Sequence, residues 1–61
     1  MLEFRCNTES AAFEGDQLRT ECARILRAIA HRVEDGGEPL DAWHTINDLN
    51  GNDVGRWRVE P

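Results

Sequence analysis

Cys6, Cys22, His31 and His44 have the richest coordination chemistry in this chain, because thiolates and imidazoles are the preferred ligands of zinc. No pair of them shows the close two-to-four residue spacing of zinc fingers, and helical spacing sets Cys22 opposite His31. The same residues could in principle supply a nucleophile and a base. That chemistry needs a Cys or Ser, a His and an orienting carboxylate gathered in a cleft, which so small a domain rarely encloses. Asp48, Asn50 and Asn52, followed by Asp53, offer oxygens at alternate positions, as a calcium loop does. Counting from Asp48, however, glycine falls at the fourth place instead of the sixth, and Val59 takes the twelfth place, where a glutamate is required. Turn chemistry accounts for these residues. Gly15, Gly36, Gly37, Gly51 and Gly55 form no phosphate loop, because none lies in a glycine-rich run entering a helix with a lysine to follow. The expectation is a protein with no catalytic residue, no metal ligand and no cofactor.

Side chains suited to recognition remain. Arg24, Arg27 and His31 fall three and four residues apart on a helical pattern and predict one exposed basic row. Such a row is either a solvated face or a docking stripe for an acidic surface. Glu34, Asp35, Glu38 and Asp41 form an acidic stretch beyond it, and Trp43 and Trp57 are candidate anchors for another protein. The aromatic residues could also stack nucleic-acid bases. The balance of twelve acidic residues against seven arginines, a net charge of −5, argues against a phosphate-binding surface. It points instead toward a protein partner.

The elements that must carry these side chains are legible in the periodicity. Leu2, Phe4 and Cys6 alternate with Glu3, Arg5 and Asn7, the two-residue period of a strand with one wet face. Residues 8–15 read as a connector whose Phe13 ring plugs the end of the core, and Asp16 reads as an N-cap. Leu18, Cys22, Ile25, Leu26, Ile29 and Val33 predict one apolar side of a helix of about five turns, stopped by Gly36 and Gly37. Residues 40–49 and 54–59 read as two further strands joined by Asn50-Gly51, a dipeptide that favours tight hairpin turns. A two-residue turn would place Ala42, His44, Ile46, Gly55, Trp57 and Val59 on one face. One extra turn residue would group Trp43 and Thr45 with Trp57 and Val59 instead. Either way the pattern predicts an α+β fold, a β-α-β-β two-layer sandwich with one amphipathic helix on a three-stranded antiparallel sheet. The far sheet face is then uncovered.

Composition sets the frame. The hydrophobic fraction of 39% and charged fraction of 31% suit a single folded domain spanning residues 1–61. A chain this short buries only about 60% of its unfolded surface, so association with a partner or a second copy would help it. All basic side chains are arginine, a bias that fits a GC-rich genome. No run approaches the ~20 apolar residues of a membrane span, and residues 1–5 lack the basic-then-apolar order of a signal peptide. A cytoplasmic protein is expected, in which Cys6 and Cys22 behave as small hydrophobes more readily than as a disulfide.

Ala11-Ala12-Phe13, the run Ala23-Arg24-Ile25-Leu26-Arg27-Ala28-Ile29-Ala30, then Asp48-Leu49-Asn50-Gly51-Asn52 and Val54-Gly55 together resemble small phage and prophage accessory proteins. The resemblance covers residues 11–59 and carries over no active-site residues. It implies a compact protein that binds a host protein or complex, including nuclease and immunity systems, and works in the host cytoplasm. Three functions compete on this reading. The leading one is a non-enzymatic module that modulates a host macromolecule. The second is a self-assembling structural or accessory component whose open sheet face pairs with its own copy, giving a homodimer. The third is a nucleic-acid binder using Arg24, Arg27 and His31 with Arg56 and Arg58.

Overall fold

Alternating apolar and charged residues at the N-terminus form the first edge strand, β1 (Leu2–Cys6), in the computed structural model, which describes residues 1–61. A 3-10 turn (Ala11–Phe13) and a 19-residue helix, α1 (Gln17–Asp35), follow. The hairpin β2 (His44–Asn47) and β3 (Asp53–Val59) completes an antiparallel sheet in the order β1-β3-β2. The α+β architecture read from the sequence is therefore the one observed: one helix on one face of a three-stranded sheet, with the other face uncovered.

Ala12, Phe13, Ile25, Ile46, Val54 and Trp57 make the buried core, with Cys6, Cys22, Ile29, Val33 and Val59 packed around it. Phe13 closes one end of this core, as expected of the connector. Leu18 and Leu26 do not join it. Leu18 lies in the first turn of the helix and Leu26 at the margin of the helical stripe, both half-exposed, and Glu21 takes a core-facing place instead. Asp16 occupies the N-cap position in a helical conformation and makes no side-chain cap. Backbone carbonyls of Glu14 and Gly15 already accept from the N–H groups of Gln17 and Leu18, at 3.0 and 3.2 Å, so those donors need no carboxylate. Gly36 ends the helix in the left-handed conformation, φ 71°.

The second strand is shorter than residues 40–49. His44 Nε2 donates to the Pro39 carbonyl at 2.7 Å, and the Leu40 carbonyl accepts from the N–H of Val59 at 2.7 Å, which folds this stretch into a turn before β2 begins.

The hairpin holds two irregularities that cancel. Its loop has three residues, Leu49, Asn50 and Gly51, closed by the Asp48 N–H on the Asn52 carbonyl at 2.9 Å, with Gly51 at φ 85°. Such a loop alone would pair Trp43 with Trp57. Val54 is an extra residue between the pairs Ile46–Gly55 and Asn47–Asp53, a bulge that restores the other register, in which His44 opposes Trp57. The bulge also lets Val54 turn into the core beside its neighbours. His44, Ile46, Trp57 and Val59 therefore share the helix-facing side, and Trp43 is left on the open one.

Candidate functional site

The open sheet face is built by strand alternation alone. Glu3 pairs with Arg58, Arg5 with Arg56, and Arg56 with Thr45, so these side chains all project away from the helix. Trp43 stands just before β2 on the same side. Its ring lies 4.5 Å from the Arg56 guanidinium carbon and 4.2 Å from that of Arg58, within cation–π range of both. The indole is 42% exposed even so. Arg58 is fixed further by Glu3 at 3.2 Å and Glu60 at 3.1 Å. Beside the ring, Leu2, Glu3, Phe4, Arg5, Trp43 and Arg56 line an open depression of about 400 Å³.

This arrangement presents a flat aromatic surface whose orientation is held by two guanidiniums, with Arg5 beside them and in no ion pair of its own. Tryptophan and arginine are the side chains most often found to dominate binding at protein interfaces. The sequence pattern marks neither Arg5 nor Thr45 as a recognition residue, and it points to Arg56 and Arg58 only as nucleic-acid ligands. The available signal was the wet half of each alternation, Glu3 and Arg5 in β1 and Arg56 and Arg58 in β3, which only the register brings together.

Other sequence candidates are placed elsewhere. Trp57 is 1% exposed in the core, stacked on His44 with ring centroids 4.4 Å apart, so it cannot touch a partner. The expected basic row breaks up, because Arg24 bends toward β2. It forms a bidentate pair with Glu21, at 2.6 and 3.0 Å, and donates to the Asn47 carbonyl at 3.2 Å, leaving Arg27 and His31 alone on the outer helix. Helix and open sheet face point in opposite directions, so Arg27 and His31 form no single groove with Arg56 and Arg58. Glu34, Asp35 and Asp41 are exposed, but Glu38 is bound by Arg32 at 2.8 and 2.6 Å and lies 3.3 Å from His44. That arginine contact, followed by a smaller attraction to His44, holds the Glu38 carboxyl below its ordinary range.

Two buried carboxylates fasten the hairpin. Glu21 receives Arg24 and the Leu49 N–H at 2.6 Å, and the bond from Arg24 holds its pKa down against burial. Asp48 accepts from the Ser10 hydroxyl at 2.7 Å, the Asn50 and Asn52 N–H groups at 2.9 Å, and the Asn52 side-chain amide at 3.0 Å. With Ser10 the largest contributor, these donors bring its pKa to about 2. Its lone pairs are spent on donors, which is turn chemistry and not cation ligation.

The four candidate zinc ligands are not gathered. Cys6 and Cys22 are half-buried free thiols at the core margin, His44 is stacked on Trp57, and His31 is on the outer helix. Burial, with smaller contributions from Cys22 and Glu21, pushes the Cys6 thiol upward, the reverse of what activates a nucleophile. No α-helix is long and apolar enough to cross a membrane. Compared with protein-family models, curated proteins and solved structures, the chain matches none.

Proposed function

We propose that this chain is a small non-enzymatic protein-binding module, phage-encoded, that modulates or inhibits a host macromolecular complex such as a nuclease or immunity system. It does so through the open sheet face centred on Trp43. The observation that carries the reading is that indole, 42% exposed and held by Arg56 and Arg58 on a face no element covers. Holding the ring in advance lowers the ordering cost of binding, and its exposed area supplies apolar burial.

Charge favours a protein over a nucleic acid. Arg5, Arg56 and Arg58 are matched by Glu3 and Glu60 on the face and Asp53 at its margin, so the face is close to neutral. The net charge of −5 therefore lies on the rest of the surface, where it would repel a phosphate backbone. A protein with an apolar or carboxylate-bearing knob suits the face better, since the guanidiniums have donors to spare around the ring.

The test is affinity capture from a phage host, with tagged wild type compared against Trp43→Ala and against an Arg27→Ala/His31→Ala control. The wild type and the control should retain the same host protein, and Trp43→Ala should lose it while keeping a native circular dichroism spectrum. Recovery of nothing above background, or equal recovery by Trp43→Ala, would refute the assignment.

A further inference from the structure

The two sheet edges are treated differently. On the β2 side, Arg24 covers the Asn47 carbonyl, and the adjoining segment is pinned through His44 to Pro39. β1 has no such protection: it holds no proline and no bulge, and Leu2 and Phe4 remain exposed on it.

Its free backbone groups belong to particular residues. Met1 and Glu60 exchange both backbone bonds, and the Asn7 N–H donates to the Val54 carbonyl at 2.7 Å. In an antiparallel ladder hydrogen-bonded pairs alternate, so Glu3 and Arg5 also turn their N–H and C=O groups inward to β3. Leu2, Phe4 and Cys6 therefore present theirs outward. These are the same residues whose side chains face the helix layer, where Leu2 is 64% and Phe4 40% exposed. Leu26, 54% exposed, lies one turn beyond Cys22 on the helix flank away from β2, because Arg24, Ala28 and Arg32 occupy the flank toward it. The result is an unpaired edge beneath an uncovered apolar seam.

We infer that the occupant of this edge is β1 of a second copy, paired antiparallel about a two-fold axis at Phe4. Only outward-facing residues can sit on that axis as a hydrogen-bonded pair. Centring on Phe4 sets Leu2 opposite Cys6 of the second copy, gives six new backbone bonds by the ladder rule, and uses the whole strand. It also sets Glu3 of each copy opposite Arg5 of the other. Centring on Glu3 or on Arg5 would oppose like charges, and centring on Leu2 or Cys6 would leave charges unmatched, so charge complementarity selects one register. The product is a continuous six-stranded sheet in which Phe4, Leu2 and Leu26 from both copies fill the seam between the helices. The two Trp43 sites stand near its outer ends on one face, making the open face bivalent.

Size-exclusion chromatography with light scattering, run across concentration on reduced protein, should give twice the chain mass at the upper end. Arg5→Glu and Glu3→Arg alone should each weaken association by roughly tenfold or more, because both symmetric contacts become repulsive. Mixing the two variants should restore it as a one-to-one pair. Leu2→Cys should form an intermolecular disulfide with the native Cys6 under mild oxidation, which fixes the register. Circular dichroism on each variant checks folding, and the Leu2→Cys crosslink keeps the test decisive if a charge variant unfolds. A monomer at every concentration would overturn the inference. So would a dimer that survives both charge variants and is lost in Trp43→Ala, which would place the contact on the open face.

Discussion

Gly55 is the position where one added methyl group should do most harm. A Cβ there would fall far inside contact distance of the Arg5 carbonyl oxygen, 2.8 Å from the Arg5 carbonyl carbon and 2.9 Å from Cys6 Cα. All three are backbone atoms of β1, so no side chain can swing aside. Relief requires β1 to move away from β3, which breaks the bonds on either side, between Arg5 and Arg56 and from Asn7 to Val54. Two or three backbone bonds at about 1 kcal/mol each, with Cys6 loosened from the core, give a cost of about 2–4 kcal/mol for Gly55→Ala.

A chain of 61 residues has roughly 3–9 kcal/mol of stability in total, so the variant should be largely or wholly unfolded. Urea titration followed by tryptophan fluorescence and circular dichroism measures this; with a slope of ~1 kcal/mol/M the midpoint should fall by roughly 2–4 M or leave no folded baseline. Gly51 is the internal control. It has open space around it and a positive φ of 85°, so Gly51→Ala meets only backbone strain of about 1 kcal/mol. Asparagine tolerates that conformation and relieves no clash, so Gly51→Asn should be milder than Gly51→Ala, whereas Gly55→Asn should be no better than Gly55→Ala. Equal stability of the two alanine variants would refute the close approach of β1 to β3 and with it the register.

Two further outcomes follow from the buried groups. The Asp48 carboxyl has its pKa lowered from 3.8 to about 2, so it contributes stability that is fully present above pH 4 and lost as pH falls toward 2; Glu21 and Glu38, also lowered, act in the same direction. The urea midpoint should fall steadily over that window, and Asp48→Asn should flatten the fall; a midpoint indifferent to pH would contradict the donor network. Trp57→Ala should cost about 3–5 kcal/mol and abolish the cooperative transition, whereas Trp43→Ala should change stability by no more than about 1 kcal/mol. The opposite ranking by urea titration would place the wrong indole in the core.

Most of the fold was legible because its signals are local. The alternation of Leu2, Phe4 and Cys6, the helical spacing through Ile25 and Val33, and the Asn-Gly turn each fix one element without reference to the others. What was not legible depends on distant groups. Glu21 sits in the apolar stripe because Arg24 and the Leu49 N–H receive its carboxylate, and Leu49 is 28 residues away. Leu26 is as apolar as Ile25 but lies a hundred degrees around the helix, toward an edge where β1 is the outermost strand. The hairpin is the sharpest case. Loop length and bulge each shift the register by one, and neither the third loop residue nor the extra Val54 is marked by composition. Their cancellation gives the faces expected of a two-residue turn from a different turn. Trp43 became identifiable as the exposed indole only with that parity.

The polar contacts have a direction that bears on what the molecule does with its edges. Ser10 to Asp48, Glu21 to the Leu49 N–H, Arg24 to Asn47, Arg32 to Glu38 and His44 to Pro39 all fasten connectors and helix to the hairpin or to the segment leading into it. No comparable polar tie joins the helix to β1, whose Cys6, like Cys22 of the helix, packs at the core margin. A core of six buried apolar residues is small for this burden, so a second copy on β1 would stabilise the weaker flank by mass action. The melting temperature should then rise with protein concentration in the wild type and not in Arg5→Glu, as calorimetry can show. If both melt at concentration-independent temperatures, the β1 flank is sufficient alone and its open seam has some other use.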